Sequence, residues 1–377
     1  MLRMGDVARC CTSELGGPMR TISDGFQLPN TQSRLMKFDR CVRTCLVSEP
    51  GDLEAELLCS AVRVVPLRPG PMAIHITRIG LDDVVLQTAR STPVALLGNL
   101  PRATILLVLP LGGLTTEAAT LNGLALKSRS VAACGGGAGY EAALHGDGTW
   151  SMVTMLSVSA GTLLGRHGLP SIIRHGAHGL LHVKPAIWMR AEALLQSANQ
   201  VAAQDPDVFD VAGARQGLRD ALLEMVADLV TMPTEEEPVR TRLARLGHRQ
   251  LVRRVDDHVS MAPEQVTGMA ELCGALGISD RQIREAFANV LGVSPARYLR
   301  LRRLMLVRAA LRAPGRPWLT VREAALAHGF WHLGRFSSVY RQAFGESPVG
   351  TLQGARGRGP GSTTRNAEGR PPHKAAT

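Results

Sequence analysis

The chain has 377 residues, enough for two or three ordinary domains. Apolar residues make up 45% and charged residues 20%, a globular composition that excludes a chain disordered throughout. The formal net charge of +11 is distributed unevenly, because residues 1–260 carry a net +1 and residues 261–377 a net +10. This asymmetry favours an anionic partner for the C-terminal part, with nucleic acid ahead of a membrane surface. The alternative is a solvated basic face.

Targeting and membrane signals are weak in this sequence. The uncharged stretch at residues 103–116 is shorter than a membrane span and contains Pro110, so it predicts a buried strand. The first 20 residues lack the apolar core of a signal peptide. An odd number of irregularly spaced cysteines predicts a reduced, cytoplasmic protein with no disulfide framework. These cysteines are Cys10, Cys11, Cys41, Cys45, Cys59, Cys134 and Cys273.

The N-terminal half changes character along its length. Residues 1–30 are rich in Gly, Ser and Thr and are predicted to be loosely ordered. The next apolar residues have helical spacing that breaks at Pro50. From about 61 to 165, short apolar runs alternate with turn clusters, which predicts an antiparallel sandwich or small barrel. The helically spaced apolar residues are Leu35, Phe38, Val42, Leu46, Leu53, Leu57 and Leu58.

Helical spacing returns after the strand-rich region. The acidic run at 235–237, followed by Pro238, predicts a hinge, and a continuous helical region follows it to about Phe344. We therefore predict an α+β protein in which a β-rich N-terminal domain with flanking helices precedes an all-α C-terminal domain. The predicted divisions are 1–30 (N-terminus), 31–184 (sensor or dimerisation domain), 185–249 (helical linker or dimerisation region), 250–353 (DNA-binding domain) and 354–377 (disordered basic tail).

The segment 264–348 repeats itself. Residues 279–287 followed by Leu291-Gly-Val-Ser-Pro correspond to residues 332–340 followed by Phe344-Gly-Glu-Ser-Pro, 53 positions later. The helix before each copy matches at an offset of 52, so the second copy has one extra residue in its turn. Each copy reads as a helix, a tight turn containing glycine and a second helix, which is the helix-turn-helix pattern.

Local chemistry agrees with this interpretation. Gly277 can supply the positive φ that a tight turn needs, and Ser279 with Gln282 has the spacing of a capping box. Apolar and polar residues of each second helix fall on opposite faces, as major-groove readout by arginine requires. The predicted inward sets are Ile283, Ala286, Phe287 and Val290, and Phe336, Val339, Tyr340 and Ala343. The outward sets are Asp280, Arg281, Arg284, Glu285 and Ala288, and Arg335, Ser338, Arg341 and Gln342.

These segments resemble the DNA-binding domain of the AraC/XylS transcription regulators over about residues 250–353. The resemblance rests on LGISDRQIREAFANVLGVSPARYLRLRRLMLVRAAL and on VREAALAHGFWHLGRFSSVYRQAFGESP. It implies two helix-turn-helix units joined by a long helix, with contacts to double-stranded DNA from Arg281, Arg284 and Glu285, then from Gly334, Arg335 and Ser338, and with Arg341 nearer phosphates. Structural roles fall to Gly277, Ser279, Ile283, Phe287, Pro295, Gly329, Phe330, Phe336, Phe344 and Pro348.

The second unit departs from the family pattern, since Gly334 and Ser338 are small where members often carry longer polar side chains. Two roles therefore remain possible for the second unit: it reads bases, or it mainly contacts the DNA backbone. The GFWHLGRF wording also resembles a subset of this family whose N-terminal half is a cupin-like β-barrel.

Three functional hypotheses follow. The first is a transcription regulator that responds to a small-molecule effector in its N-terminal domain, with RNA polymerase as a further partner if it is an activator. The second is a regulator whose N-terminal half only forms a homodimer. The third is a barrel enzyme fused to a DNA-binding module, but the sequence shows no nucleophile elbow, zinc-protease helix or kinase signature, so we predict no enzymatic activity.

Candidate metal and cofactor sites are weak, and none is predicted. The four histidines His167, His175, His178 and His182 lack the strand HxH pair of cupin metal sites and are interpreted as scattered. The Cys41–Cys45 pair has no second pair to complete a zinc site. The glycine run 135–139 lacks the Gly-Lys-Ser/Thr of a phosphate loop and predicts a connection between strands.

Overall fold

The computed structural model describes residues 40–59, 61–111, 119–127, 129–164, 173–174, 176–231, 239–261, 268–313 and 319–357. Within these ranges a strand-rich N-terminal half precedes a helical C-terminal half, which is the predicted α+β class. No described helix combines the length and the apolarity needed to cross a bilayer.

The described strands form two antiparallel sheets that are not closed into a barrel, so the sandwich alternative of the prediction holds. The large sheet has the order β1-β3-β4-β11-β6-β9-β12, and the small sheet has the order β2-β5-β10-β7-β8. The strands are β1 Val42–Val47, β2 Ala61–Pro66, β3 Ile74–Leu81, β4 Val84–Ser91, β5 Val94–Asn99, β6 Thr104–Leu111, β7 Ala119–Leu121, β8 Leu124–Ala125, β9 Ser130–Gly135, β10 Gly139–Leu144, β11 Gly148–Leu156 and β12 His178–His182.

Helices flank the sandwich and make up the C-terminal half. In chain order they are α1 Pro50–Glu56, α2 Ser157–Leu164, α3 Pro185–Gln204, a 3₁₀ turn Pro206–Asp210, α4 Ala212–Thr231, α5 Val239–Met261, α6 Met269–Leu276, α7 Asp280–Leu291, α8 Pro295–Arg312, α9 Val321–Ala327, α10 Leu333–Phe344 and α11 Pro348–Gly357.

Four successive layers result from the way the strands alternate. Helices α3 and α4 cover one face of the large sheet with residues such as Leu195 and Leu222. The other face of the large sheet packs against the small sheet. The outer face of the small sheet packs against α5 to α8, where Leu97 and Ala143 share one apolar cluster with Phe287. Strand β6 lies in an inner layer, which explains why it is buried along almost its whole length, as the uncharged run predicts.

The prediction of helical turns around Val42 and Leu46 is wrong. Both residues lie in β1, which pairs antiparallel with β3 along the edge of the large sheet. The i, i+4 spacing of two apolar residues is also compatible with one face of a strand, so it could not decide between the two. Pro50 begins α1 instead of breaking a helix, because proline at the first helical position loses no intrahelical hydrogen bond. Leu35 and Phe38 lie outside the described residues.

Two other expectations are modified at their boundaries. Residues 354–357 belong to α11, which Thr351 and Leu352 anchor in the C-terminal core, so the predicted tail begins helically there. Helix α5 runs without interruption through the predicted division at 249/250. The glycine run forms the turn between β9 and β10, as predicted. The predicted hinge at 235–238 and the predicted loose N-terminus lie outside the described ranges.

Candidate nucleic-acid interface

The first helix-turn-helix unit is α6, a three-residue turn and α7. Gly277 adopts a left-handed conformation (φ 65°) that ends α6, a geometry that glycine adopts without steric cost. The predicted capping box forms: the Gln282 amide donates to Ser279 Oγ at 3.3 Å, and Gln282 Oε1 accepts from the Ser279 amide at 3.1 Å. Two otherwise unpaired backbone donors are thereby satisfied where α7 begins.

Helix α7 is divided into a buried and an exposed face. Ile283, Ala286, Phe287 and Val290 are fully buried, and the Phe287 ring meets the Tyr298 ring edge-on with centroids 5.2 Å apart. Arg281, Arg284 and Glu285 lie on the exposed face. Arg284 Nε donates to Asp280 Oδ2 at 2.8 Å, and this hydrogen bond raises the pKa of Arg284. The ion pair holds one arginine of this face extended along the helix.

Helix α8 joins the two units as one continuous element of 18 residues. Ser294 caps it by accepting from the Arg297 amide, and Pro295 occupies its first turn. Its N-terminal part contributes Tyr298 and Leu299 to the core of the first unit, and its C-terminal part contributes apolar residues to the core of the second. The helix therefore sets the separation of the two units.

The second unit is α9, a longer turn and α10. Thr320 and Glu323 form a capping box at the start of α9. Gly329 again has a positive φ (76°), and the Phe330 amide donates a hydrogen bond to the Ala325 carbonyl at 2.9 Å. Phe336 and Tyr340 of α10 are buried, Phe330 and Phe344 pack on their rings, and Pro348 begins α11. The exposed residues of α10 include Gly334, Arg335, Ser338 and Arg341.

A family model described as a helix-turn-helix domain matches residues 272–354, which include α7 to α10. The C-terminal region is an AraC-family helix-turn-helix domain. The domain's two glycine-containing turns, capped helices and connecting helix are the features on which the resemblance in the sequence depends.

Curated relatives of the AraC-family domain are bacterial regulators. The "XylDLEGF operon transcriptional activator" of Pseudomonas putida is 42% identical over 76 residues, 20% of this chain and 24% of the relative. The "XylDLEGF operon transcriptional activator 2" of the same species is 36% identical over 105 residues, 27% of this chain and 63% of the relative. The "Probable thc operon regulatory protein" of Rhodococcus erythropolis is 34% identical over 103 residues, which are 27% of this chain and 31% of the relative. The chain thus spans about a quarter of the first relative's length.

Solved structures show only a distant likeness. The AraC-like transcriptional activator CuxR aligns over 62% of this chain and 80% of its own, with 14% identity and a TM-score of 0.32. ToxT from Vibrio cholerae aligns over 72% of this chain and 98% of its own, with 13% identity and a TM-score of 0.25.

The AraC-family domain lies against the small sheet through contacts that sequence reasoning missed. Asp256 of α5 is fully buried and accepts hydrogen bonds from Arg63 of β2 at 2.6 Å and from the Tyr298 hydroxyl at 2.7 Å. Glu141 of β10 is also fully buried and is ion-paired with Arg249 and Arg253 of α5. A carboxylate inside the apolar run of β10 was the signal that could have indicated this interface.

A second anchor holds the bridging helix. Glu49, which precedes α1, forms ion pairs with Arg308 and Arg312 of α8, the latter at 2.5 Å. Arg308 also forms an ion pair at 2.8 Å with Glu346, between α10 and α11, so Glu49 of the N-terminal half joins a charged cluster that connects α8 to the end of the second unit. Both units of the AraC-family domain are therefore attached to the sandwich.

Two of the four histidines interpreted as scattered, His178 and His182, are among the described residues. His178 contacts Arg249, and His182 Nδ1 lies 3.1 Å from the Ser130 hydroxyl. His167 and His175 lie outside the described ranges, and within those ranges no three His, Cys, Asp or Glu side chains cluster in a way that could hold a metal ion. Cys45, on β1 at the edge of the large sheet, and Cys41, directly before that strand, are free thiols.

A cavity of about 60 Å³ lies between the two sheets. Its lining is almost entirely apolar, and the Tyr140 hydroxyl within it lies 2.7 Å from the Cys59 thiol. Burial raises the pKa of Tyr140, and burial raises the pKa of Cys59 to about 11, so both groups stay neutral near pH 7. The lining residues are Leu57, Cys59, Leu96, Leu106, Val108, Pro110, Ala119, Thr120, Leu121, Leu126, Ala132, Tyr140, Ala142, Leu144, Trp150 and Met152.

Proposed function

We propose that this protein is a sequence-specific, DNA-binding transcription regulator. The observation that carries the proposal is the pair of helices α7 and α10, each of which buries one face and exposes arginine on the other. Arginine can bond guanine O6 and N7 together, and a helix fits the major groove. The rigid connection through α8 supports readout of two successive groove segments by one chain.

Residue roles follow from exposure and position. Arg281, Arg284 and Glu285 read base edges in the first segment, and Gly334, Arg335 and Ser338 approach the second. Arg341, one turn further along α10, contacts phosphate. Because glycine and serine offer little to a base edge, the second unit contributes mainly affinity and the first mainly sequence preference.

The test of DNA recognition uses duplexes that the wild-type chain selects from a random pool. Arg281→Ala should cost about 1–3 kcal/mol at one or two base pairs and relax the preference there. Arg190→Ala is the matched control, because it removes the same charge from α3, on the far side of the sandwich. Unchanged base preference in Arg281→Ala, or selection of no consensus by the wild-type chain, would contradict the proposal.

The proposal includes a small-molecule effector held between the two sheets. The apolar lining around two neutral polar groups supports a small, uncharged ligand. An engineered cavity of about 150 Å³ admits benzene, so a 60 Å³ cavity must widen for a ligand of that size. When the cavity walls move apart to admit toluene or indole, these compounds should raise the Tm of the wild-type chain, since a ligand that binds the native state stabilises it.

The small volume of this cavity also favours the second candidate, a regulator whose N-terminal half only dimerises. In that case none of these compounds shifts the Tm, and sedimentation of the full chain shows a homodimer. The divisions at 31–184, 185–249 and 250–353, and contact with RNA polymerase for an activator, belong to this proposal.

A further inference from the structure

Strand β10 faces the cavity on one side and the DNA-binding region on the other. Tyr140, Ala142 and Leu144 line the cavity. Glu141 and Ala143, between them, lie on the opposite face, where Ala143 joins the apolar cluster of α5 and α7 and Glu141 meets α5. Successive side chains of a strand point to opposite faces. A displacement of this strand therefore reaches both the cavity and the first helix-turn-helix unit.

Glu141 is the attachment point on the outer face of β10. It accepts hydrogen bonds from Nε of Arg249 and of Arg253, which are one helical turn apart on α5. Arg249 also donates to the Gly139 carbonyl at 2.6 Å. Because this carboxylate is fully buried, the two guanidinium groups fix its position, and water cannot replace them as hydrogen-bond donors.

Arg253 makes the contact that extends to the cavity wall. Its Nη2 donates to the Gly98 carbonyl at 2.6 Å and to the Tyr140 carbonyl at 3.3 Å, and its Nη1 donates to Asn99 Oδ1 at 2.7 Å. Gly98 and Tyr140 are paired in register across β5 and β10. A Cβ atom at Gly98 would lie 2.5 Å from the Tyr140 ring, so that ring lies directly on this backbone. One guanidinium thus holds the backbone of two strands whose other face forms the cavity wall.

The size of the cavity makes this connection sensitive to occupancy. Interiors are close-packed, so an occupant larger than about 60 Å³ must displace the wall. We propose that Arg253 is a positioning residue that transmits displacement of the cavity wall to the first helix-turn-helix unit through β10 and α5. This inference rests on the proposed function, because its output is DNA affinity.

The test replaces the unidentified effector by a substitution that fills the cavity. Ala132 of β9 is fully buried in the wall that faces the small sheet, so Ala132→Leu pushes toward β10 from across the cavity. Its effect on the Kd for the selected duplex is measured in four full-length backgrounds: wild type, Arg253→Gln, Arg253→Lys and Arg254→Gln. Arg254 is the matched control, since it is exposed on the same helix and bonds instead to the Leu276 carbonyl.

We expect Ala132→Leu to change the Kd at least fivefold in the wild-type and Arg254→Gln backgrounds and less than twofold in the Arg253→Gln background, the signature of coupled residues. Arg253→Lys keeps the positive charge beside Glu141 but lacks the several N–H donors of the guanidinium group. It should therefore also lose the coupling between Ala132→Leu and the Kd. If Arg253→Gln does not fold, Arg253→Lys is used in its place. If Ala132→Leu does not fold, Ala132→Val is used in its place. Equal changes in all backgrounds, or no change in the wild type, would overturn the inference.

A second readout separates this inference from the proposed function. Amide hydrogen exchange in α5 should accelerate on Ala132→Leu in the wild-type and Arg254→Gln backgrounds but not in Arg253→Gln, whether or not DNA is bound. If this pattern appears and the chain selects no DNA sequence, the proposed function fails and the mechanical connection stands. If sequence-selective binding is present and the exchange pattern is absent, the connection through Arg253 is wrong.

Discussion

Substitution of Phe287 by alanine tests whether the first recognition helix is held between α8 and the small sheet. The ring is fully buried, and removal of such a ring typically costs about 3–5 kcal/mol of unfolding free energy. The edge-on pair with Tyr298 contributes about 0.5–1.5 kcal/mol beyond the buried area. Neighbours come from α5, α8 and the strands, so no single helix can move in to close the hole. We therefore expect the upper half of that range.

The measurement is urea unfolding of the full chain followed by far-UV circular dichroism, with amide exchange of α6 and α7 to locate the loss. Ala288→Ser, on the exposed face of the same helix, is the control and should stay within about 0.5 kcal/mol of wild type. A Phe287→Ala protein as stable as this control, with unchanged exchange in α7, would refute the burial of this face against the sheet.

Two further substitutions examine the second unit and the contact between the sandwich and the helices. Arg341→Ala should weaken binding to selected and scrambled duplexes by the same factor and reduce the slope of log K against log salt by about 1, measured by titration at several salt concentrations; a loss confined to the selected duplex would contradict a phosphate contact. His145 directly follows β10, and its imidazole lies against Gly292 at the end of α7. Burial, with a smaller effect from Arg297, lowers the pKa of His145. The unfolded chain therefore binds more protons as the pH falls below the ordinary histidine pKa of about 6.5, and native stability falls with it. The Tm should drop between pH 7 and 5 more steeply in wild type than in His145→Gln, and equal slopes would remove His145 from the account.

Most of the C-terminal architecture could be predicted from sequence because its determinants are local. The capping residues Ser279 and Gln282 are three positions apart, and the turn glycines lie next to the helices they end. The strand-rich region could be predicted as a class but not in its pairing, because β4 and β11, for example, meet across about 60 residues of chain. Spacing alone misassigned Val42 and Leu46, since two apolar residues do not separate a helix face from a strand face.

The connection between the halves was not predicted, for a related reason. Glu141 and Arg253 are 112 positions apart, and no local pattern pairs a strand carboxylate with a particular helix. The exposure of Arg281 and Arg284 followed from helical periodicity, whereas the ion pair that holds Arg284 to Asp280 depends on side-chain conformation. Sequence thus indicated which residues face outward but not what restrains them.

The shared apolar cluster of the first unit has a practical consequence for dissection of the molecule. Its core is completed by side chains from two strands of the sandwich, among them Val65 and Leu97. A fragment that starts at residue 250 would cut α5 within its length, lose Arg249 and leave that apolar face and Arg253 in water. Such a fragment should self-associate and attract nucleic acid without regard to sequence. Affinities measured on it would describe a different surface from the one that the whole chain presents.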